Sequence, residues 1–260
     1  MPTQELLPQL GVIVAAKRRY VQERKIHTSI EVLRLEADRQ RRPLPLLTEV
    51  LLGPERPIHL MVHLTPETLP DLLHFQDVDG VAFYNDDHFA FQDLDEIVKL
   101  NHLIDKPILA RDVFLDEFQV VEMRTAGASA LLLRAAILEP GVLRTLVSVT
   151  QRYRMTAIVQ VHSEVDVDFT ISLSPYVIAL STRDLWTDQP LNLDVAAMRR
   201  RIPSHIRVML AEPLDSLAAV EQAIGLDVDA VLVQPQLLMD ESIAAELSRL
   251  LRRTPQEFHS

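Results

Sequence analysis

Pro107-Ile-Leu-Ala-Arg-Asp-Val-Phe-Leu-Asp116 and Ala126-Gly-Ala-Ser-Ala-Leu-Leu-Leu133 are the stretches whose reading decides the fold of this chain. Each contains a short apolar run, and Phe118 to Ala126 between them places apolar residues three and four apart, the period of an amphipathic helix. A second such helix, Gly141 to Tyr153, leads to a third run, Ala157 to Val161. Buried strands that alternate with helices imply a parallel sheet, whose neighbours need a crossover between them.

The same alternation extends in both directions. Leu46 to Leu52, Val81 to Tyr84, Ile108 to Val113, Ala130 to Leu133, Ala157 to Val161, Tyr176 to Leu180, Arg207 to Leu210 and Ala230 to Val233 make eight candidate strands. Amphipathic stretches at Pro66 to Phe75, Leu94 to Ile104, Val195 to Ile202 and Leu214 to Ile224 fall between them, while Val165 to Leu173, rich in β-branched residues, carries the poorest helical signal. Eight such units in 260 residues predict an α/β fold of the (β/α)8 TIM-barrel type rather than an open sheet. Glu5 to Arg41 precedes the first strand and reads as one or two charged helices with apolar faces at Ile13-Val14-Ala15 and around Ile30, Val32 and Leu33. The expected organisation is one domain over 1–260: a helical extension at 1–45, the barrel at 46–240, and a C-terminal helix and tail at 241–260.

Composition narrows the function. At 48% hydrophobic and 24% charged the chain can bury a large core. A net charge of −11 argues against nucleic acid, since neutralising phosphates needs a basic face, and Arg199-Arg200-Arg201 reads as a solvated helix face. With no cysteine there are no disulfides, thiolate zinc sites or cysteine nucleophiles. The start lacks the pattern of a signal peptide, and no run reaches the roughly 18 apolar residues of a membrane span. A soluble, cytoplasmic protein with no membrane partner is the expectation. Only six glycines occur, few for a barrel class that grips phosphate with glycine-rich loops.

Pro107 to Asp116, Ala126 to Leu133 and Ser181-Thr-Arg-Asp-Leu185 follow in the order and spacing of indole-3-glycerol phosphate synthases, and the chain resembles that family from about Leu46 to Met239. The resemblance implies a barrel with an N-terminal helical extension over its mouth; a helix on the barrel's side or a dimer contact is the alternative for that segment. It also implies ring closure of an anthranilate-derived ribulose phosphate, with loss of carbon dioxide and water, at the C-terminal ends of the strands. No cofactor is expected.

The residues at the family's catalytic positions differ. The first family strand reads Glu-x-Lys before a Ser-Pro turn; here Glu49 matches the glutamate, Leu51 takes the lysine position and Gly53-Pro54-Glu55 the turn. The third strand ends Lys-Asp-Phe in the family and Arg111-Asp112-Val113 here, and an arginine that holds its proton is a poor general acid, though it can grip a carboxylate. The catalytic glutamate of the fifth strand becomes Gln160, in Gln160-Val161-His162. Asn-x-Arg-Asp-Leu becomes Ser181-Thr182-Arg183-Asp184-Leu185, which keeps Arg183 and puts Ser181 at the amide. Glu-Ser-Gly of the seventh strand is replaced by Leu210-Ala211-Glu212-Pro213, in which a one-residue shift restores Glu212 but not the glycine. Gln234-Pro235-Gln236 stands at the phosphate-binding glycine, where proline has no N–H to offer.

Losing one general acid or base typically removes about 10²–10⁴ in rate, and each preorganised electrostatic donor about 10²–10³. These losses are not additive, but together they predict a catalytically impaired or repurposed barrel; an active synthase or another small-anion lyase is the alternative. Arg134, where the family carries an aliphatic residue, points inward with Leu132 by strand alternation. Arg111, Arg134 and Arg183 then share one mouth with Glu49 and Glu212, either as a mutually neutralised ion network or as a site for a carboxylate or phosphate. A protein partner, such as a tryptophan-pathway enzyme, suits a barrel acting through its surface. No metal site is expected: Asn85-Asp86-Asp87-His88 reads as a polar loop, His59 and His63 as isolated surface histidines at helical spacing, and Trp186 as packing.

Overall fold

The computed structural model describes residues 8–46, 58–69, 77–83, 94–183, 189 and 193–251. Eight strands close into a parallel barrel in sequence order: β1 (His59–Leu64), β2 (Gly80–Phe83), β3 (Ile108–Ala110), β4 (Ala130–Arg134), β5 (Thr156–Val161), β6 (Val177–Leu180), β7 (Arg207–Leu210) and β8 (Ala230–Val233). The ring is shut by β8 on β1, with Leu60 beside Val231 and Val62 beside Val233. The described helices are α1 (Pro8–His27), α2 (Ile30–Arg39), α3 (Leu94–Leu103), α4 (Glu117–Ala126), α5 (Pro140–Arg152), α6 (Glu164–Ile171), α7 (Val195–Arg201), α8 (Leu217–Gly225), α9 (Gln236–Met239) and α10 (Glu241–Leu251).

Local chemistry fixes the helix ends. Asp116 and Gln119 form a capping box that starts α4, and Gly127, at φ 99°, stops it. A side chain at Gly127 would meet Asn101 at 2.4 Å, so both the angle and the space call for glycine. The β-branched segment after β5 does form a helix: Ser163 accepts from the Asp166 N–H at its start, and Val167 and Thr170 are buried beneath it.

Alternate strand residues build two cores. Met61, Leu109, Leu132, Ile158, Met209 and Leu232 fill the inside of the barrel among small residues such as Ala82 and Ala179, while Val62, Leu131, Val159, Ile178 and Val231 face the helices. This interdigitation of large and small side chains makes the barrel a packed core rather than a pore.

The first strand differs from the expectation. Leu46 to Leu52 is not β1; the strand is His59–Leu64, and residues 47–57, with Glu49, Leu51 and Gly53-Pro54-Glu55, lie outside the described residues. Leu46 is apolar because it plugs the barrel's N-terminal end: it is fully buried, and its carbonyl accepts a 3.0 Å bond from the Thr156 hydroxyl. His59 and His63 hid the true strand. Both are buried, 4% and 5% exposed, rather than surface residues of a helix, because they face into the barrel on either side of Met61.

The extension lies against α4. Val21, Leu33 and Ala37 pack on Phe118 and Val121, and ion pairs Arg24–Glu122 at 2.8 Å, Lys25–Asp116 at 2.6 Å and Arg34–Glu117 at 2.7 Å line the seam. Its described contacts are thus on the barrel's flank, with Lys17 reaching the loop after β3, where its ammonium meets Asp112 at 2.5 Å.

Candidate active site

The C-terminal ends of the strands carry the inward polar side chains. Arg111 follows β3 directly, its N–H donating to Phe83 O at 3.1 Å, and its Nη1 lies 3.3 Å from Nδ1 of His63 at the end of β1. Asp112, next in sequence, turns outward to Lys17 and accepts the Val113 N–H. Burial pushes the Lys17 ammonium below its ordinary pKa, against the upward pull of Asp112.

Arg134 ends β4 directly beside Gln160 of β5. Gln160 is buried, its Nε2 lies 3.4 Å from Nε2 of His162, and its Oε1 has no hydrogen-bond partner among the described residues. Beyond β6, the Ser181 hydroxyl donates to Glu212, as do the N–H of Thr182 at 3.1 Å and its hydroxyl at 3.3 Å. Glu212 leans to the β6 end, and Ala211 fills the inward position above Met209. Arg183 is half-buried at the same rim.

The end of β8 is closed on itself. Pro235 caps α9 and has no N–H, while the N–H groups of Leu237 and Leu238 bond to Gln234 and Pro235 carbonyls at 3.1 and 2.9 Å. Of the expected site residues, the described rim thus carries Arg111, Arg134, Gln160, Ser181, Arg183 and Glu212; Glu49 lies outside the described residues. His63 and His162 were missed as rim residues. The i, i+4 spacing of His59 and His63 was a signal for one face of a strand as much as of a helix. Residues 84–93 and 184–188, including Asn85 to His88 and Trp186, are outside the described set.

Fold and rim together define a (β/α)8 barrel with its polar groups gathered at the end where this architecture carries chemistry. The family model for indole-3-glycerol phosphate synthase matches residues 80–250, and the chain belongs to that family. An indole-3-glycerol phosphate synthase of Dehalococcoides mccartyi is 31% identical over 176 residues, covering 66% of this chain and 68% of the relative. Indole-3-glycerol phosphate synthase 2 of Streptomyces coelicolor is 38% identical over 136 residues, 51% of each chain. Among solved structures, 3-hexulose-6-phosphate synthase from Salmonella typhimurium superposes with a TM-score of 0.61 at 18% identity, covering 75% of this chain and 98% of that one; the likeness is one of fold.

β1 turns Met61 and His63 to the barrel interior, and the turn that follows is Thr65-Pro66, in which the Thr65 N–H donates to the Thr68 hydroxyl at 2.9 Å.

Proposed function

We propose that this barrel no longer runs the family's ring closure and retains its rim as a polar site for a small anionic ligand, a carboxylate or a phosphate. The observation that carries this reading is the engagement of Arg111 with His63; in the family resemblance Arg111 takes the place of the general-acid lysine. A guanidinium keeps its proton at any working pH, so it can orient an anion but not protonate a ring. Gln160, with no acid proton and a buried oxygen that has no partner among the described residues, and the closed turn at Pro235 support the same reading. Arg134 and Arg183 are the further ligand contacts in this proposal, and Glu212 with Ser181 braces the β6–β7 rim. We also read the chain as a single cytoplasmic domain, in keeping with its lack of cysteine and with Val14 of α1 joining the barrel's core cluster.

The test is a direct assay of the purified chain beside the Dehalococcoides relative, using the family's anthranilate-derived substrate. Losing two acid–base groups predicts a rate at least about 10⁴-fold lower. Product at a rate near the relative's, lost on Arg111→Gln, would establish an active synthase instead. For the ligand, thermal shift with anthranilate and phosphate should show stabilisation that weakens in Arg134→Leu.

A further inference from the structure

The opposite end of the barrel holds a second cavity, of about 800 Å³, within the usual range of small-molecule sites. Its walls are the strap 42–45 beneath the barrel and the turns that open β5, β6 and β7, far from the strand ends where the family's chemistry lies. Arg42, Arg154 and Arg207 line it. Arg207 is neutralised by Asp229 at 2.9 Å, whereas Arg42 and Arg154 are exposed and make no ion pair among the described residues. On a chain of net charge −11, two uncompensated guanidiniums at one cavity mark a local reversal of sign. Tyr176, 55% exposed, supplies a ring at the same wall, and Pro43 and Pro45 give it an apolar floor.

Arg154 occupies its place against backbone preference. It lies at φ 61°, one residue beyond the C-cap of α5, where glycine is at ease and an arginine is strained. Its N–H closes the helix end on Gln151 O at 2.9 Å, a bond any residue makes, so the helix stop does not call for a guanidinium.

We infer that this cavity binds a small phosphorylated ligand carrying a planar ring, of which a nucleoside monophosphate is the working probe. Arg42 and Arg154 take the phosphate by charge-assisted hydrogen bonds, and the ring stacks on Tyr176 against the proline floor. Neither half alone uses the whole site.

Isothermal titration calorimetry of the full chain with adenosine 5′-monophosphate, adenosine and ribose 5-phosphate tests this. The monophosphate should bind about tenfold or more tighter than either fragment, and Arg42→Ser and Arg154→Gly should each weaken it by about tenfold or more, the worth of a hydrogen bond to a charged group. Arg154→Gly should do so without lowering Tm, since glycine relieves the backbone. Lys99→Gln, on the exposed face of α3 and outside both sites, should leave affinity unchanged. No binding of the monophosphate, equal affinity for a fragment, or an unaltered Kd in Arg154→Gly would overturn the inference.

Discussion

The two ends of this barrel treat their charges in opposite ways. At the C-terminal rim polar groups lean on protein neighbours: Arg111 on His63, Glu212 on Ser181 and Thr182, Asp112 on Lys17. At the N-terminal end Arg42 and Arg154 face an open cavity with no ion-pair partner among the described residues. Between them lies an apolar layer of Met61, Leu132, Ile158, Met209 and Leu232 that carries the packing. Because that layer holds the strands together, residues at either end can change without undoing the fold.

The largest expected stability effect sharpens the contrast at the rim. Lys17 and Asp112 are almost completely buried, so removing the ammonium leaves a carboxylate in the interior with only the Val113 N–H to satisfy it among the described residues. Lys17→Met should cost about 3–5 kcal/mol in urea unfolding, the usual effect of stranding one partner of a buried pair. Lys17→Met combined with Asp112→Asn should recover a large part of it. A single-variant cost below about 1 kcal/mol, typical of exposed pairs, would mean that the rim's polar groups are not load-sharing with the extension.

A smaller effect tests the other end. Gly80 sits under the barrel where an added methyl would meet Leu46 at 3.0 Å and the Pro107 carbonyl at 3.3 Å. Gly80→Ala should therefore lose about 1–3 kcal/mol by overpacking, and shortening the plug in Gly80→Ala with Leu46→Val should return part of that loss. Thermal unfolding of the single and double variants decides it; no loss would mean that Leu46 moves aside freely and the N-terminal end is looser than its burial implies.

The fold was legible wherever both faces of a strand are apolar. Ala130 to Leu133 and Ala157 to Val159 face either the barrel interior or the helices, so each reads as an unbroken run. β1 was not legible, because His59 and His63 break its run and the apolar Leu46 imitates a strand from its place as a plug. At the site, strand alternation pointed Arg134 inward and the family resemblance singled out Arg111 and Gln160, but neither named their neighbours. The contact of Arg111 with His63 needs the true first strand, and the bond from Ser181 to Glu212 joins residues 31 apart in sequence. The Lys17–Asp112 pair spans 95 residues and left no local pattern at all.

The smallest expected effect is one of pH, on the seam between the extension and α4. Glu122 is 4% exposed and accepts from Arg24 Nε at 2.9 Å, yet burial outweighs that partner and raises its carboxyl above the ordinary 4.5. Between 4.5 and the raised folded value, the native protein holds a proton that the unfolded chain has already released. Stability from this group is therefore greatest below 4.5, falls as pH rises through that window, and levels off above the folded value. Glu122→Gln keeps an acceptor for Arg24 and removes the titration, so it should change neutral-pH stability by no more than about 1 kcal/mol while flattening the slope of Tm in the acidic range. An unchanged slope in that variant would move the titration to another carboxylate and would leave the seam as a set of pairs held at constant charge, closer in character to the rim than to the open cavity below.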